Sequence, residues 1–238
     1  MLRQDHEPEP VSEERADSPV PRQRAWQRML SGRKLDLLDP SPADIELDDI
    51  ALGLARVARW NGQTVGPHVF SVAQHSLFVE AIAGELAPEL DAAGRLAVLL
   101  HDAPEYVVGD LITPLKSVIG GAYAQVEARL LAAVHRRFGL SETVEAGLRG
   151  VIKRADRLAA GLEATRLAGF SAGEAEGVFG PPERLPRDLD GLLSPWPAEQ
   201  AANRFRSRAM DLMGEMVGGA AGGGQVPGSS CPSGIECR

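Results

Sequence analysis

Six side chains from the middle of the chain are of types that could do chemistry together. His101 and Asp102 are adjacent at the end of an apolar run, with Glu105 and Asp110 soon after; His75 lies upstream and Asp156 downstream. Imidazole and carboxylate both bind divalent metals, and a mixed nitrogen–oxygen set suits a first-row transition metal better than calcium. If His75, His101, Asp102 and Asp156 are the ligands, an octahedral ion keeps positions for water and substrate. Metal-assisted hydrolysis needs those positions, because the ion lowers the pKa of a water it holds. Taken singly, each residue has a plainer explanation. His75 could be a hydrogen-bonded core histidine, Asp156 could pair with Arg154 or Arg157, and His-Asp is a common dipeptide. The combination carries the argument.

Helices must position these groups. Asp44 opens a pattern in which Ile45, Ile50, Leu54 and Val57 recur at helical spacing, ending near Arg59-Trp60-Asn61-Gly62. Ser71 is placed to cap the next helix, which runs to about Leu86; His75 shares its inward face with Phe78, Val79, Ile82 and Leu86. A third helix from about Asp91 delivers His101 and Asp102 at its end. Residues 103–118 read as a short helical or looped passage broken at Gly109 and Pro114. A fourth helix carries Tyr123, Val126, Leu130, Val134 and Phe138 and stops at Gly139. A fifth, within residues 141–169, sets Asp156 on the apolar stripe of Val144, Leu148, Ile152 and Ala159. Burying an aspartate there is costly unless it is paired or holds a cation. Residues 171–197 read as a long Gly- and Pro-rich loop, possible as a lid, and a last helix follows Pro197. With no alternating strand pattern and no repeat, the expected fold is all-α, an irregular bundle of about six or seven helices.

Composition narrows the rest. The chain has 238 residues, a net charge of −8, 44% apolar and 24% charged residues, which are values of a soluble globular domain. The acidic balance argues against a stable nucleic-acid partner. Apolar runs are too short for a bilayer, no targeting segment is visible, and a cytoplasmic location without membrane association is expected. Residues 1–25 read as a disordered or loose arm, 26–216 as the folded domain, and 217–238 as a disordered Gly-rich tail. Cys231 and Cys237 fall in that tail and cannot staple the core. Trp26, Met29, Leu30, Leu35, Leu37 and Leu38 are expected to begin the core; His6 and His135 are expected to be exposed.

The order His, His-Asp, distant Asp resembles the HD-domain superfamily of metal-dependent phosphohydrolases. Ser71-Val72-Ala73-Gln74-His75-Ser76 resembles the first-histidine motif of the bacterial 5'-deoxynucleotidase group. Residues 101–116, HDAPEYVVGDLITPLK, are very similar to that group's central motif. Lys153-Arg154-Ala155-Asp156 resembles its final-ligand motif, and Arg59-Trp60 the pair before the first histidine. The resemblance runs from about residue 30 to 215 and implies an HD-domain helical bundle. It implies that His75, His101, Asp102 and Asp156 bind a divalent cation (Co, Mn, Zn, Ni, Fe or Mg). Glu105 would then orient or deprotonate the attacking water, and Asp110 would assist the leaving oxygen or support the site. Arg59, Thr113 and Lys116 become candidates for phosphate contacts, with Trp60 beside the sugar. For Asp110 a turn or cap after Gly109 is an equal alternative; for Arg59 and Lys116 it is a solvated charge, and for Trp60 a core aromatic.

The implied activity is hydrolysis of (deoxy)nucleoside 5'-monophosphates, with a homodimer expected by resemblance alone. Release of triphosphate or pyrophosphate from a nucleotide is the neighbouring enzymatic alternative. A non-catalytic nucleotide-binding helical module is the alternative from another class, against which Glu105 argues, since binding needs no water-activating carboxylate.

Overall fold

The computed structural model describes residues 25–183 and 189–222, and among them the fold is all-α apart from one small hairpin. Strands β1 (Trp26–Arg28) and β2 (Lys34–Asp36) pair antiparallel, Trp26 opposite Asp36. This corrects the expectation of no strand: three-residue strands are too short to show alternation. The hairpin turns at Gly32, whose φ of +90° suits glycine. The Ser31 amide and hydroxyl both donate to Asp49, at 3.0 and 2.5 Å, and so pin the hairpin to the first helix. Leu35 is its buried residue, whereas Leu30 at the turn and Leu38 beyond β2 are exposed and do not join the core.

Helix α1 (Leu47–Leu54) starts later than Asp44 because Pro42–Asp44 forms a separate 3-10 turn; Arg59–Gly62 forms another. α2 (Val72–Leu86) is capped by Ser71, whose hydroxyl accepts from the Gln74 amide. α3 (Ala92–Leu99) is capped in the same way by Asp91. The passage after it holds α4 (Glu105–Val108) and α5 (Thr113–Ile119). Pro114 lies in the first turn of α5, where its missing N–H costs nothing, so it starts this helix rather than breaking one. α6 (Gly121–Arg137) stops before Gly139, and α7 (Ala146–Arg166) follows.

Two sequence expectations fail further along. The stretch 171–197 is not one loop. It holds α8 (Ala172–Phe179), opened by a Ser171–Glu174 capping box, and a 3-10 turn at Asp190–Leu192. α9 (Ala198–Gly222) continues through residues 217–222, where the composition predicts the start of a disordered tail. Extending a formed helix costs far less than nucleating one, so small residues prolong it. The expectations for residues 1–24 and 223–238, with His6, Cys231 and Cys237, lie outside the described residues. Among the described residues no helix is long and apolar enough to cross a membrane.

α2 is the structural axis. Its Val72 and Ala73 join a core of Ile50 and Leu54 from α1, Leu96 and Leu99 from α3, and Phe205 and Leu212 from α9. Its Phe78, Val79 and Ile82 join a second core with Ala155, Leu158 and Ala159 of α7. A helix buried on both sides carries its polar residues inside as well. Glu80 is therefore met by Arg95 of α3 at 2.6 Å and Arg208 of α9 at 2.8 Å, as a buried charge requires. His75 and Gln74 are buried for the same reason.

Candidate metal centre

Three backbone arrangements bring the site together. The segment before α2 is stitched to the 3-10 turn: the Arg59 amide donates to Phe70 O at 2.8 Å and the Val72 amide to Val57 O at 3.0 Å. Arg59 is thereby held beside the first turn of α2, one turn before His75. After α3, the amides of His101, Ala103 and Glu105 donate to Val98, Leu100 and Asp102 in consecutive tight turns. His101, Asp102 and Glu105 are thus presented within a few residues. α7 packs along α2 and contributes Asp156 and, two turns on, Glu163.

Both imidazoles are oriented through Nδ1. His75 Nδ1 pairs with Glu163 Oε1 at 2.5 Å, and His101 Nδ1 donates to Val98 O at 2.9 Å. Each ring therefore presents Nε2 inward, and both Nε2 atoms are buried without a hydrogen-bond partner. His75 Nε2 lies 3.2 Å from Asp156 Oδ1 and 3.5 Å from Asp102 Oδ2; His101 Nε2 lies 3.1 Å from the same Asp102 oxygen. Ligand atoms of His75, His101 and Asp156 all fall within 4.8 Å of one another. Convergent nitrogens and carboxylates that do not satisfy one another by hydrogen bonding form a group able to hold a metal ion. The backing of each imidazole by a carboxylate or carbonyl is the arrangement metal-binding histidines use.

The electrostatics show a shortage of positive charge. Burial and Arg59 oppose protonation of His75, yet Glu163, Asp102 and Asp156 prevail and raise its pKa well above the usual histidine value. His101 is raised too, the Asp102 carboxylate outweighing burial. Burial, reinforced by the charges of Asp102 and Asp110, pushes the Glu105 carboxyl up to about 9. Glu163 goes the other way: despite full burial, His75 and Arg59 hold it down at about 2. Carboxylates that recruit protons onto their neighbours occupy a place suited to a cation.

No family model matches the chain. The uncharacterized protein RCAP_rcc00048 of Rhodobacter capsulatus is 54% identical to it over 196 residues, 82% of this chain and 99% of that one. The chain belongs to that protein's family. The match spans nearly the whole length of the relative, so the two share far more than a short motif.

Of the residues singled out in the sequence, His75, His101, Asp102 and Asp156 meet. Asp156 does not pair with Arg154 or Arg157, both of which reach Glu183 instead. Arg59 lies between Asp110 Oδ2, at 3.1 Å, and Glu163 Oε2, at 3.4 Å. Trp60 donates from Nε1 to Glu163 Oε2 at 2.9 Å, and its ring meets Phe170 and Phe179 edge-on at 5.7 and 6.1 Å. Trp60 keeps a left-handed backbone, φ +56°, which those contacts must hold in place. Lys116 reaches Glu105 and Glu127, and Thr113 is the first residue of α5. His135 is buried, contrary to expectation, its Nδ1 donating to Ser141 O at 2.8 Å, with no part in the centre.

The residue missed in the sequence is Glu163. It is fully buried and joins His75, Arg59 and Trp60. A signal was present: Glu163 continues the apolar stripe of α7 two turns beyond Asp156, where an unpaired acid would be expensive.

Proposed function

We propose that this protein is a metal-dependent phosphohydrolase of the HD-domain kind, acting on (deoxy)nucleoside 5'-monophosphates. The observation that carries the reading is the pair of buried, unpartnered Nε2 atoms of His75 and His101, converging with Asp102 and Asp156. Beside them, Glu105 has a buried Oε2 without a hydrogen-bond partner. His75, His101, Asp102 and Asp156 would hold the ion. Once bound there, a divalent cation supplies a water of lowered pKa and offsets charge on the phosphoryl oxygens.

The chain's own groups do the rest. Glu105, whose carboxyl a cation at the centre would bring back to its ionised form, orients the water through its free oxygen and takes its proton as oxygen attacks phosphorus and the bond to the nucleoside oxygen breaks. That nucleoside oxygen leaves with a proton, the one Glu105 has taken from the water, while Asp110, salt-bridged to Arg59 at 3.1 Å, supports the leaving-group side. Arg59 spans Asp110 and Glu163, so one guanidinium links the leaving-group side to the carboxylate that orients His75. A homodimer and a cytoplasmic location belong to the same reading.

Reconstitution with Mn²⁺, Co²⁺, Zn²⁺, Ni²⁺, Fe²⁺ or Mg²⁺, followed by a nucleotide panel, tests it. Orthophosphate from monophosphates is expected, and Glu105→Gln should lower turnover by about 100-fold or more while metal content stays unchanged. Triphosphate or pyrophosphate as product would replace the substrate assignment. Absence of turnover with every metal would favour a nucleotide-binding module.

A further inference from the structure

Glu105 is gripped from outside the centre by residues of α5 and α6. It is 3% exposed, and its two oxygens differ: Oε1 lies 3.4 Å from Lys116 Nζ, while Oε2 is buried without a partner. Lys116 Nζ is also 3.1 Å from Glu127 Oε1 and sits 5.6 Å from the centre of the Tyr123 ring. The Tyr123 hydroxyl donates to Gly109 O at 3.1 Å. Tyr123 and Glu127 are one turn apart on α6, and Gly109 closes the short helix that Glu105 opens. α6 thus holds both the lysine and the end of α4.

We propose that Glu127 and Lys116 form a positioning clamp for Glu105, with Lys116 occupying Oε1 so that Oε2 is the oxygen presented to water. Two physical points favour this over a lysine free to bind phosphate. The terminal torsion of a glutamate is broad and nearly two-fold, so an ammonium on one oxygen selects the carboxylate's orientation. A lysine on its flexible stem holds that place only if something holds the lysine, and Glu127 does so at the shorter of its two carboxylate distances. Burial works against the ammonium charge, but Glu105 and Glu127 prevail and raise its pKa. The role in water activation rests on the phosphohydrolase reading; the clamp itself stands on the contacts alone.

Two measurements test the clamp. In Mn²⁺-loaded protein with deoxyadenosine 5'-monophosphate, Lys116→Met and Glu127→Gln should each lower kcat by about 10–100-fold, with KM and metal content nearly unchanged. Lys116→Arg should restore part of the loss. A raised KM with intact kcat would show Lys116 serving the phosphate and overturn the proposal. In metal-free protein, reductive methylation of Lys116, followed by peptide mass spectrometry, should quicken by about threefold or more in Glu127→Gln. An unchanged rate in that variant would overturn it even if the enzyme is active. A wild-type protein silent on every nucleotide would remove the reaction and with it the catalytic role, while the methylation result still decides whether the contacts couple.

Discussion

Glu163 divides its two oxygens between tasks. Oε1 fixes the tautomer of His75, and Oε2 receives the indole N–H of Trp60 and faces the Arg59 guanidinium. Both functions follow from a full charge in a place water does not reach, so conservative and radical changes should separate them. Glu163→Gln keeps the shape but removes the charge that raises the basicity of His75. Metal affinity should fall by about 10–100-fold, the usual loss when a carboxylate behind a metal-binding histidine is altered. Titration against a chromophoric chelator would measure this, and an unchanged dissociation constant would remove Glu163 from the support of the centre. Glu163→Ala should in addition lower stability by about 3–5 kcal/mol, because it leaves buried donors of Trp60, His75 and Arg59 without their acceptor.

At the scale of elements, the placement of Glu105 depends on how closely α4 approaches α1. A Cβ added at Gly53 would lie 2.8 Å from Tyr106 Cβ and 3.0 Å from the Tyr106 carbonyl oxygen. Neither can swing aside as the end of a long side chain would, so Gly53→Ala must push the helices apart. A loss of about 1–3 kcal/mol in urea unfolding is expected and, on the proposed phosphohydrolase reading, reduced turnover because α4 opens at Glu105; unchanged stability would show that the contact relaxes freely. This element-level packing was only partly legible in the sequence. The long helices α2, α6, α7 and α9 were, since each has apolar residues at helical spacing and a readable start or stop such as Ser71, Gly139 or Pro197. The hairpin was not, because three residues per strand leave no period to read, and α8 was hidden by glycines although Ser171 and Glu174 spelled its cap. At the site, the four metal-binding candidates could be named because each had a typed partner elsewhere in the chain. Glu127 could not, since an acid on a helix is ordinarily solvated and only the packing of α6 on α5 gives it its neighbour; Glu163 shares the apolar stripe of Asp156, but its partners appear only once α7 packs on α2.

For the molecule as a whole, the centre is a cross-link. His75 comes from the helix shared by both cores, His101 and Asp102 from the turn after α3, and Asp156 from α7, so an ion held by all four ties the two cores together. A ligand that binds the folded state alone stabilises it by mass action, by about 2.7 kcal/mol at a hundredfold excess over Kd. For a chain of this size the midpoint of thermal unfolding should rise by about 5–10 °C. The effect should depend on pH in a definite direction. His75 and His101 have raised pKa values in the metal-free fold. Their protonation stabilises the metal-free protein fully below the unfolded value of about 6.5, and this is lost as pH climbs through the raised folded values. The ion needs both imidazoles neutral, so it must displace those protons, and binding strengthens over the same climb. Both trends express one displacement of protons, and the gap between loaded and metal-free midpoints should be wider near pH 8 than near pH 6. Scanning calorimetry with and without Mn²⁺ at both pH values measures it. A shift of equal size at both would mean that the ion does not sit on the imidazoles, and its stabilisation would have to come from carboxylates alone.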